Sequence, residues 1–547
     1  MRLVTAAAAL LAGLALSSAA VAQTPAFDAA RLSEHTRILS ADDFEGRGIA
    51  TPAEQKVIDY VSDQFRAAGL EPGGENGGWT QAVALNRFTA SDIQAQLTVG
   101  DWTQPLVQGE QIVVSTRRPG ARQVALTEAP LVFVGYGITA PERNWDDFKG
   151  QDVTGKILVV LVNDADFEQP ALNTFGGRAM TYYGRWTYKY EEAARRGAAG
   201  VIIVHEDAPA SYGWTTVRNS WTGPNFDIVR EDANERVPME SWIQRDIAVQ
   251  MFDRAGLDFE ALKVQARSRD FQPVTLTGAA MDVRFDVASQ RIETQNILGR
   301  LPGTTHADET FLYTGHWDHI GIGTPDANGD AIFNGAVDNA SGIAGLIELA
   351  RAFGAGPRPE RSVVFIGFTA EESGLLGSEY YAANPLYPLA TTVGGVNMDS
   401  ANVYGRTAGF SVVGYGQSDF DERMGVIVEA QGRAVQPDAN PAAGIYFRSD
   451  HFPLAKRGVP MAYARSGGEF VDEPVAARTA ARDEYTARRY HQADDEWSAD
   501  WDYSGQIQDL QVYFALGNTL ANSRDWPVWK GDSEFGPARA ASAAARE

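Results

Sequence analysis

The chain has 547 residues with 71 acidic and 47 basic side chains, a formal net charge of −24 at pH 7, and no cysteine. This charge repels nucleic acid phosphates and anionic lipid, so neither is an expected partner. Without cysteine, the chain has no disulfides, no cysteine nucleophile and no cysteine-based zinc site, so a metal must be held by His, Asp and Glu. The length and the 44% apolar composition predict two or three folded domains.

The N-terminus has the pattern of a secretory signal peptide. Arg2 supplies a positive charge, residues 6–16 are apolar, and Ala-Val-Ala at 20–22 provides the small residues of a cleavage site. We therefore expect residues 1–22 to be removed and the protein to be exported, to the periplasm or outside the cell. No cysteine follows the cleavage site and no other stretch approaches the roughly 18 apolar residues of a spanning helix, so neither a lipid anchor there nor membrane insertion is expected.

The segment after the signal peptide begins with two predicted helices, over residues 26–39 and 52–69. In the second helix the apolar residues recur at helical spacing, and Gly69 suits its C-terminal cap. Residues 80–115 alternate in short strand-like runs.

A strand–helix–strand pattern follows, with few groups that could carry chemistry. Its elements are predicted over 130–137, 156–163, 187–198 and 201–204, where the third is a helix. Residues 250–285 lead back out of it. We interpret residues 116–284, called the insert below, as a smaller α/β domain inserted into the main domain, which comprises residues 23–115 and 285–535.

From about residue 290, apolar strands alternate with helices. This alternation predicts a doubly wound α/β fold, with a mostly parallel sheet covered on both faces. Strands are predicted over 310–315, 362–369, 393–399 and 459–465, and helices over 341–353, 373–383, 418–432 and 505–522. Residues 536–547 are rich in Ala and Arg and are predicted to form a flexible tail.

Acidic residues and a histidine fall at the ends of these strands or at the start of a helix. They are His316, Asp318, Asp338, Glu371, Glu372 and Asp399. Each has an ordinary explanation on its own, such as a turn residue or a helix start. The carboxyl ends of parallel strands meet at one edge of a sheet, where ligands of such folds bind. As a set they therefore predict a metal site at that edge.

The residue types suit zinc, which binds neutral imidazole nitrogen and carboxylate oxygen. Two zinc ions about 3.5–4 Å apart need a carboxylate shared between them and further ligands on each side. Asp318 could accept the second ring N–H of His316 and so fix its orientation. In the adjacent pair Glu371 and Glu372, one carboxylate could bind metal while the other moves protons.

Five segments, in this order and spacing, resemble the zinc-dependent co-catalytic aminopeptidases, a family that includes bacterial leucyl aminopeptidase and, more distantly, glutamate carboxypeptidase II. They are TGHWDH at 314–319, DNASG at 338–342, TAEESG at 369–374, NMD at 397–399 and YHQ at 490–492. The resemblance covers about residues 26–110 and 285–530. The insert is similar to the protease-associated domain of many members, notably at 135–137 and 197–203.

The resemblance implies two zinc ions and a role for each ligand. His316 and Asp399 would bind one zinc, Glu372 and His491 the other, and Asp338 would bridge them. The family often has a cis peptide bond after the bridging aspartate, here between Asp338 and Asn339. One departure is Val337, which stands where the family often has a further aspartate.

Glu371 would act as the general base: it would take a proton from the bridging water and pass it to the leaving amine. The implied function is that of a secreted di-zinc aminopeptidase that hydrolyses N-terminal residues from peptides. A carboxypeptidase or dipeptidase of the glutamate carboxypeptidase type is the alternative, and it would need a basic cluster in its pocket. A non-catalytic binding protein on the same fold is a third reading, which failure to bind zinc would favour. No pattern specifies the oligomeric state.

The other histidines compete for roles. His451, in Ser-Asp-His at 449–451, is the rival of His491 for the last ligand position, and we favour His491. His319 could support a ligand or make a structural hydrogen bond, and Asp495 could orient His491. Surface or packing roles are expected for His35, His205 and His306.

Overall fold

The computed structural model describes residues 25–323, 325–326, 328–531 and 533–546. The predicted signal peptide, residues 1–22, lies outside the described residues. Among the described residues, no helix has both the length and the apolar character needed to cross a membrane.

Helices occur close to every predicted position. The α-helices are Ala29–Leu39, Pro52–Ala67, Ala165–Glu168, Trp186–Arg195, Asp207–Ala210, Trp214–Trp221, Arg245–Arg254, Phe259–Gln265, Gly342–Ala355, Leu376–Ala383, Phe420–Ala430, His451–Lys456, Val475–Glu484, Ser504–Ala521 and Gly536–Ala541. Asp28 caps the first of them by accepting the backbone N–H groups of Ala30 and Arg31.

Most strands belong to a 16-stranded mixed sheet. Its central path runs, neighbour by neighbour, Ala434–Pro437, Thr407–Val412, Met461–Phe470, Thr392–Asn397, His306–His316, Arg361–Phe368, Val274–Leu301, Gln123–Phe133, Ile157–Leu161, Gly200–His205, Met239–Gln244 and Ile112–Ser115. Strands Thr80–Val99, Trp102–Leu106, Asn225–Ile228 and Glu71–Pro72 pair off this path. Two small hairpins pair Thr139–Ala140 with Trp145–Asp146 and Gly321–Ile322 with Ile332–Phe333.

The main-domain part of the sheet is parallel at its centre. Strand His306–His316 lies between Arg361–Phe368 and Thr392–Asn397, parallel to both, and Thr392–Asn397 is also parallel to Met461–Phe470. These strands therefore end at one edge, as the sequence predicts. Successive side chains of these strands point to opposite faces of the sheet, and each face has its own apolar cluster. Phe311 belongs to the cluster that includes residues of helix Ser504–Ala521, and Leu312 belongs to the cluster on the other face. The mostly parallel α/β fold covered on both faces is confirmed.

Two strands are longer than the sequence predicts: Thr80–Val99, which is followed by the short strands Trp102–Leu106 and Ile112–Ser115 within 80–115, and Val274–Leu301, which begins inside the exit segment predicted over 250–285. Thr80–Val99 and Val274–Leu301 pair antiparallel from Thr80 opposite Ile297 to Val99 opposite Ala279. One end of Val274–Leu301 pairs with Arg361–Phe368 of the main domain, and the other pairs with Gln123–Phe133. Alternation over a half-buried surface indicates a strand but not its length, since tertiary pairing sets where a strand ends.

The insert continues the sheet with its own parallel strands, Gln123–Phe133 beside Ile157–Leu161 and Gly200–His205. Both of its faces are buried, and one apolar cluster extends into the main domain through Phe447, Phe452 and Phe535. The insert thus packs directly against the main domain.

The C-terminal segment does not fray as predicted. Gly536–Ala541 is helical, and the buried Arg539 donates hydrogen bonds to the carbonyl oxygens of Thr392 (2.9 Å) and Val393 (3.1 Å). Its Ala- and Arg-rich composition resembles that of a solvated tail, but these main-chain acceptors hold it against the sheet.

Candidate metal centre

The predicted ligands converge at the carboxyl ends of the parallel strands. His316 ends its strand, Asp399 lies two residues beyond Thr392–Asn397, and Glu372 lies four residues beyond Arg361–Phe368. Asp338 lies in an irregular turn before helix Gly342–Ala355, and His491 comes from the segment before Ser504–Ala521.

Asp338 stands between two histidines and presents a different oxygen to each. Its Oδ1 lies 3.3 Å from His316 Nε2, and its Oδ2 lies 3.2 Å from His491 Nε2. Burial favours the neutral form of Asp338, but hydrogen bonds with both histidines outweigh burial and hold its pKa well below the usual range. This carboxylate has the position that a bridging ligand requires.

Each histidine also faces a carboxylate of its own. His316 Nε2 lies 3.5 Å from Asp399 Oδ1, and His491 Nε2 lies 3.2 Å from Glu372 Oε2. The donors therefore form two lobes joined at Asp338. The His316 side chain is 1% exposed and that of His491 is 35% exposed, so the His491 lobe is the one open to solvent.

The donor set fits divalent metal ions. One ligand atom from each of His316, Asp338 and Glu372 lies within 4.8 Å of the others, and the same holds for His316, Glu371 and Asp399. Among the described residues, no Lys or Arg nitrogen lies within 4.0 Å of the carboxylates of Asp338, Glu372 or Asp399; histidines are their ion-pair partners. Closely spaced buried carboxylates need positive charge, and imidazole with carboxylate is a zinc donor set.

Hydrogen bonds to the Asp495 carboxylate hold the turn that carries Asp338. The Asp495 carboxylate accepts the backbone N–H groups of Val337 (3.0 Å) and Asp338 (3.1 Å), so it supports the bridging residue and makes no hydrogen bond with His491. The expected cis peptide bond joins Asp338 and Asn339. The Asn339 amide donates to the carbonyl oxygens of Met398 (3.0 Å) and His316 (3.3 Å), which links this turn to the ends of two strands.

Asp318 does not orient His316 through its carboxylate, as the sequence suggested. The two groups are 3.8 Å apart, and His316 Nδ1 donates instead to the backbone carbonyl of Asp318 at 3.1 Å. The Asp318 carboxylate accepts the backbone N–H groups of Glu371 (3.1 Å) and Glu372 (3.4 Å). It therefore positions the glutamate pair.

Glu371 lies beside the His316 lobe while its neighbour Glu372 joins the His491 lobe, so the two carboxylates are separated as predicted. Burial is the main cause that raises the pKa of Glu371 well above its ordinary value; the negative charges of Glu372 and Asp399 add to it, and His316 opposes it. A carboxylate with a raised pKa suits proton transfer near neutral pH.

The remaining candidate histidines take different places. His319 Nδ1 lies 2.6 Å from Glu372 Oε1, so it supports a predicted ligand. His451 begins a short helix rather than preceding a strand directly, and its buried ring packs 4.6 Å from Tyr463 and 4.7 Å from Tyr446, centroid to centroid. Burial lowers the pKa of His451 to about 3. It joins neither lobe.

Sequence reasoning missed several supports of the centre. The Ser449 hydroxyl donates to Asp399 Oδ2 at 2.7 Å, and the Tyr463 hydroxyl lies 3.5 Å from the same oxygen. The neighbouring Asp450 is buried, and its carboxylate accepts a hydrogen bond from the Ser378 hydroxyl at 2.6 Å. The Ser-Asp-His segment at 449–451 was the available signal, although it pointed to His451 rather than to Ser449.

Arg47 supports the centre through hydrogen bonds to four backbone carbonyl groups. Its buried guanidinium donates to the carbonyl oxygens of Trp317 (2.8 Å), Leu39 (2.8 Å), Asn334 (2.6 Å) and Gly335 (2.7 Å). Burial lowers its pKa to about 10, although acidic residues of the centre, Asp495 foremost, oppose this. Arg47 thus joins the segment that carries His316 to the segment that carries Asp338. It also places a positive charge near the carboxylates of the centre.

Known families match both parts of the chain. Residues 296–515 match peptidase family M28, and residues 127–235 match the PA domain. A probable zinc metalloprotease of Pyrenophora tritici-repentis is 43% identical over 86 residues, which are 16% of this chain and 19% of that protein. The first four curated relatives are each matched over only 18–23% of their length.

Longer similarities are weaker in sequence. The probable lipoprotein aminopeptidase LpqL of Mycobacterium tuberculosis is 22% identical over 489 residues, 85% of this chain and 79% of that protein. The solved structure of an aminopeptidase from Aneurinibacillus sp. strain AM-1 superposes with a TM-score of 0.50 at 19% identity, covering 90% of this chain and 94% of that one. At that identity the superposition supports the fold alone.

Arg47→Met should weaken both the fold and the centre. It leaves buried carbonyl oxygens without donors and removes the charge beneath the carboxylates, so the free energy of unfolding should fall by about 3 kcal/mol or more. Arg37→Met, which removes an exposed arginine paired with Glu34, should change it by less than about 1 kcal/mol. Denaturant unfolding and zinc titration measure both effects. Equal stability and equal zinc affinity in the two variants would show that Arg47 has no such role.

His491→Ala and His451→Ala separate the two candidates for the last ligand. We expect His491→Ala to lose bound zinc, because His491 Nε2 lies 3.2 Å from both Asp338 Oδ2 and Glu372 Oε2 and so stands among the donors of its lobe. His451→Ala should keep the full amount and lose stability only, because it leaves a cavity between two tyrosines. Elemental analysis after dialysis counts the zinc. The reverse pattern would assign the ligand to His451.

Proposed function

We propose, from the premise that residues 296–515 of this chain belong to peptidase family M28, that the protein is a two-zinc exopeptidase that removes N-terminal residues from peptides. The observation that carries the two-metal proposal is Asp338, whose two oxygens face separate histidines, each with a further carboxylate. One metal would need a single lobe; this arrangement supplies two that share a carboxylate.

The ligands would divide between the lobes. His316 and Asp399 would hold one zinc, and His491 and Glu372 would hold the other. Asp338 would bind both. When bound, the zinc ions would act as Lewis acids that make water a better nucleophile and polarise the carbonyl of the scissile bond.

This chain's own residues would move the proton. Glu371 would take it from the attacking water and give it to the nitrogen of the leaving amine, and its raised pKa suits both transfers. Asp318 holds the Glu371 backbone N–H at 3.1 Å, which fixes the turn from which the carboxylate reaches the His316 lobe.

Aminopeptidase is the direction that we favour. The relative matched over 85% of this chain is named a probable aminopeptidase, and the motifs resemble that branch of the family. We also propose that the protein is exported, to the periplasm or beyond the cell, on the strength of the signal-peptide pattern at residues 1–22.

Glu371→Gln tests the proposed base. The variant should keep its zinc, because Glu371 belongs to neither pair of ligands, and kcat on aminoacyl p-nitroanilides should fall by about 100-fold or more. Glu429→Gln, an exposed glutamate on helix Phe420–Ala430, is the matched control and should keep full activity.

N-acetylated copies of the same substrates test the direction of attack, and a chelator tests the metal requirement. Hydrolysis of the blocked substrates, or near-normal turnover by the Glu371→Gln protein, would contradict the proposal. Lack of zinc binding at micromolar concentration would favour a non-catalytic binding protein.

A further inference from the structure

The turn that carries Glu371, residues 369–375, has an unusual backbone and is called the base turn below. It follows strand Arg361–Phe368, and two of its residues with side chains, Ala370 (φ 54°) and Leu375 (φ 62°), lie in the left-handed region. Residues with a Cβ disfavour this region, so they persist there where the surrounding structure holds them. Glu371 follows Ala370 directly, so the contacts that hold Ala370 also set the position of the carboxylate.

Hydrogen bonds from the main domain hold the two ends of the base turn. The Thr369 backbone N–H donates to Asn296 Oδ1 at 3.1 Å, and the Thr369 hydroxyl lies 2.6 Å from that of Thr294. At the other end, the Leu376 backbone N–H donates to the carbonyl of Ala370 at 3.0 Å. These bonds use backbone groups and the Thr369 hydroxyl, and the Ala370 side chain packs against apolar neighbours instead.

Those apolar neighbours form a small cluster to which the insert contributes. Its buried members are Val83, Leu85, Ile228, Ala370 and Leu376. Ala370 is 0% exposed and Ile228 of the insert is 6% exposed. Phe226 of the insert is partly buried and packs against the same cluster. The insert therefore supplies part of the apolar surroundings of the base turn.

Strand Asn225–Ile228 brings these insert residues to the main domain. It pairs antiparallel with Thr80–Val99, with Ile228 opposite Leu85. It also lies close to helix Leu376–Ala383, since Cα atoms of the two elements come within 8 Å of each other. That helix begins directly after the base turn. The strand thus lies between the insert and the segment that carries the proposed base.

The opposite face of the same strand is fixed to the insert. Side chains alternate between the faces of a strand, so Asp227 points away from the face shared by Phe226 and Ile228. The Asp227 side chain is 2% exposed, and its carboxylate lies 2.7 Å from Arg236 Nε and 3.1 Å from Arg230 Nε. Separating buried paired charges is costly, so these contacts resist displacement of the strand. The strand is thereby held on one face and offers apolar side chains on the other.

We propose that Phe226 and Ile228 of the insert are positioning residues for Glu371. They hold Ala370 in its left-handed conformation and so keep the Glu371 carboxylate at the His316 lobe. This inference rests on the proposed exopeptidase function and gives the insert a part in the chemical step. An insert that only selected substrates would change KM, whereas one that positions the base changes kcat, even on a minimal substrate.

Ile228→Ala tests the positioning role. With saturating zinc, the full-length variant should show a kcat on aminoacyl p-nitroanilides about tenfold lower or less, because a small misplacement of a catalytic group slows the reaction strongly. KM should change by less than about twofold. Ile228→Leu, which keeps the apolar volume, should restore kcat to within about twofold of the unaltered protein. Rates are measured well below the melting temperature of each variant.

Ile247→Ala is the matched control for loss of stability. It makes the same substitution at another buried position of the insert, 8% exposed, in an apolar cluster that does not include Ala370. It should lower the melting temperature to a similar extent and keep kcat. If Ile228→Ala does not fold, Phe226→Ala at its partly buried position takes its place and should lower kcat in the same way.

Backbone hydrogen exchange separates failure of this inference from failure of the proposed function. Peptides that cover residues 369–377 should exchange about tenfold faster or more in Ile228→Ala than in the unaltered protein, and Ile247→Ala should leave them unchanged. That result supports the hold on the base turn even if no peptide is hydrolysed. Unchanged exchange in this segment, an unchanged kcat in an active protein, or an equal fall of kcat in Ile228→Ala and Ile247→Ala overturns the inference.

Discussion

The structure depends on one electrostatic constraint, the need to balance several carboxylates gathered at the end of a buried sheet. Asp338 lies between two imidazoles, and each imidazole faces a further carboxylate. Such a cluster is unfavourable unless positive charge lies within it, because its carboxylates are mostly buried. Protons on the histidines or metal ions between the lobes can supply that charge, and the donor types suit zinc. Metal binding and the stability of this edge of the fold are therefore expected to be coupled.

The sheet makes this concentration of charge possible. Parallel strands end at one edge, and buried main-chain contacts hold the turns beyond them: Asp318 fixes the glutamate pair, Asp495 fixes the bridging turn, and Arg47 joins two segments through carbonyl oxygens. None of these three groups needs to touch a metal. Each acts on backbone geometry, so the ligands are held before any ion binds. Such preorganisation is what a precise metal site requires.

Much of this could be predicted from the sequence, because apolar strands and the residues that follow them are local patterns. The strand ends place His316 and Asp399 at one edge, and the start of a helix places Asp338 there, without knowledge of the structure. The supporting contacts could not be predicted in the same way. Arg47 lies about 270 residues from the carbonyl it binds at Trp317, and only the folded chain brings them together. The length of the strand Val274–Leu301 likewise depends on pairing with four other strands.

The central claim is that Asp338 is shared by two zinc ions. Crystals of the zinc-loaded protein, measured at wavelengths on both sides of the zinc absorption edge, test it most directly. The account predicts two anomalous peaks about 3.5–4 Å apart, one between His316 and Asp399 and the other between His491 and Glu372, with Asp338 in contact with both. A single peak, or a second peak that Asp338 does not contact, would contradict it.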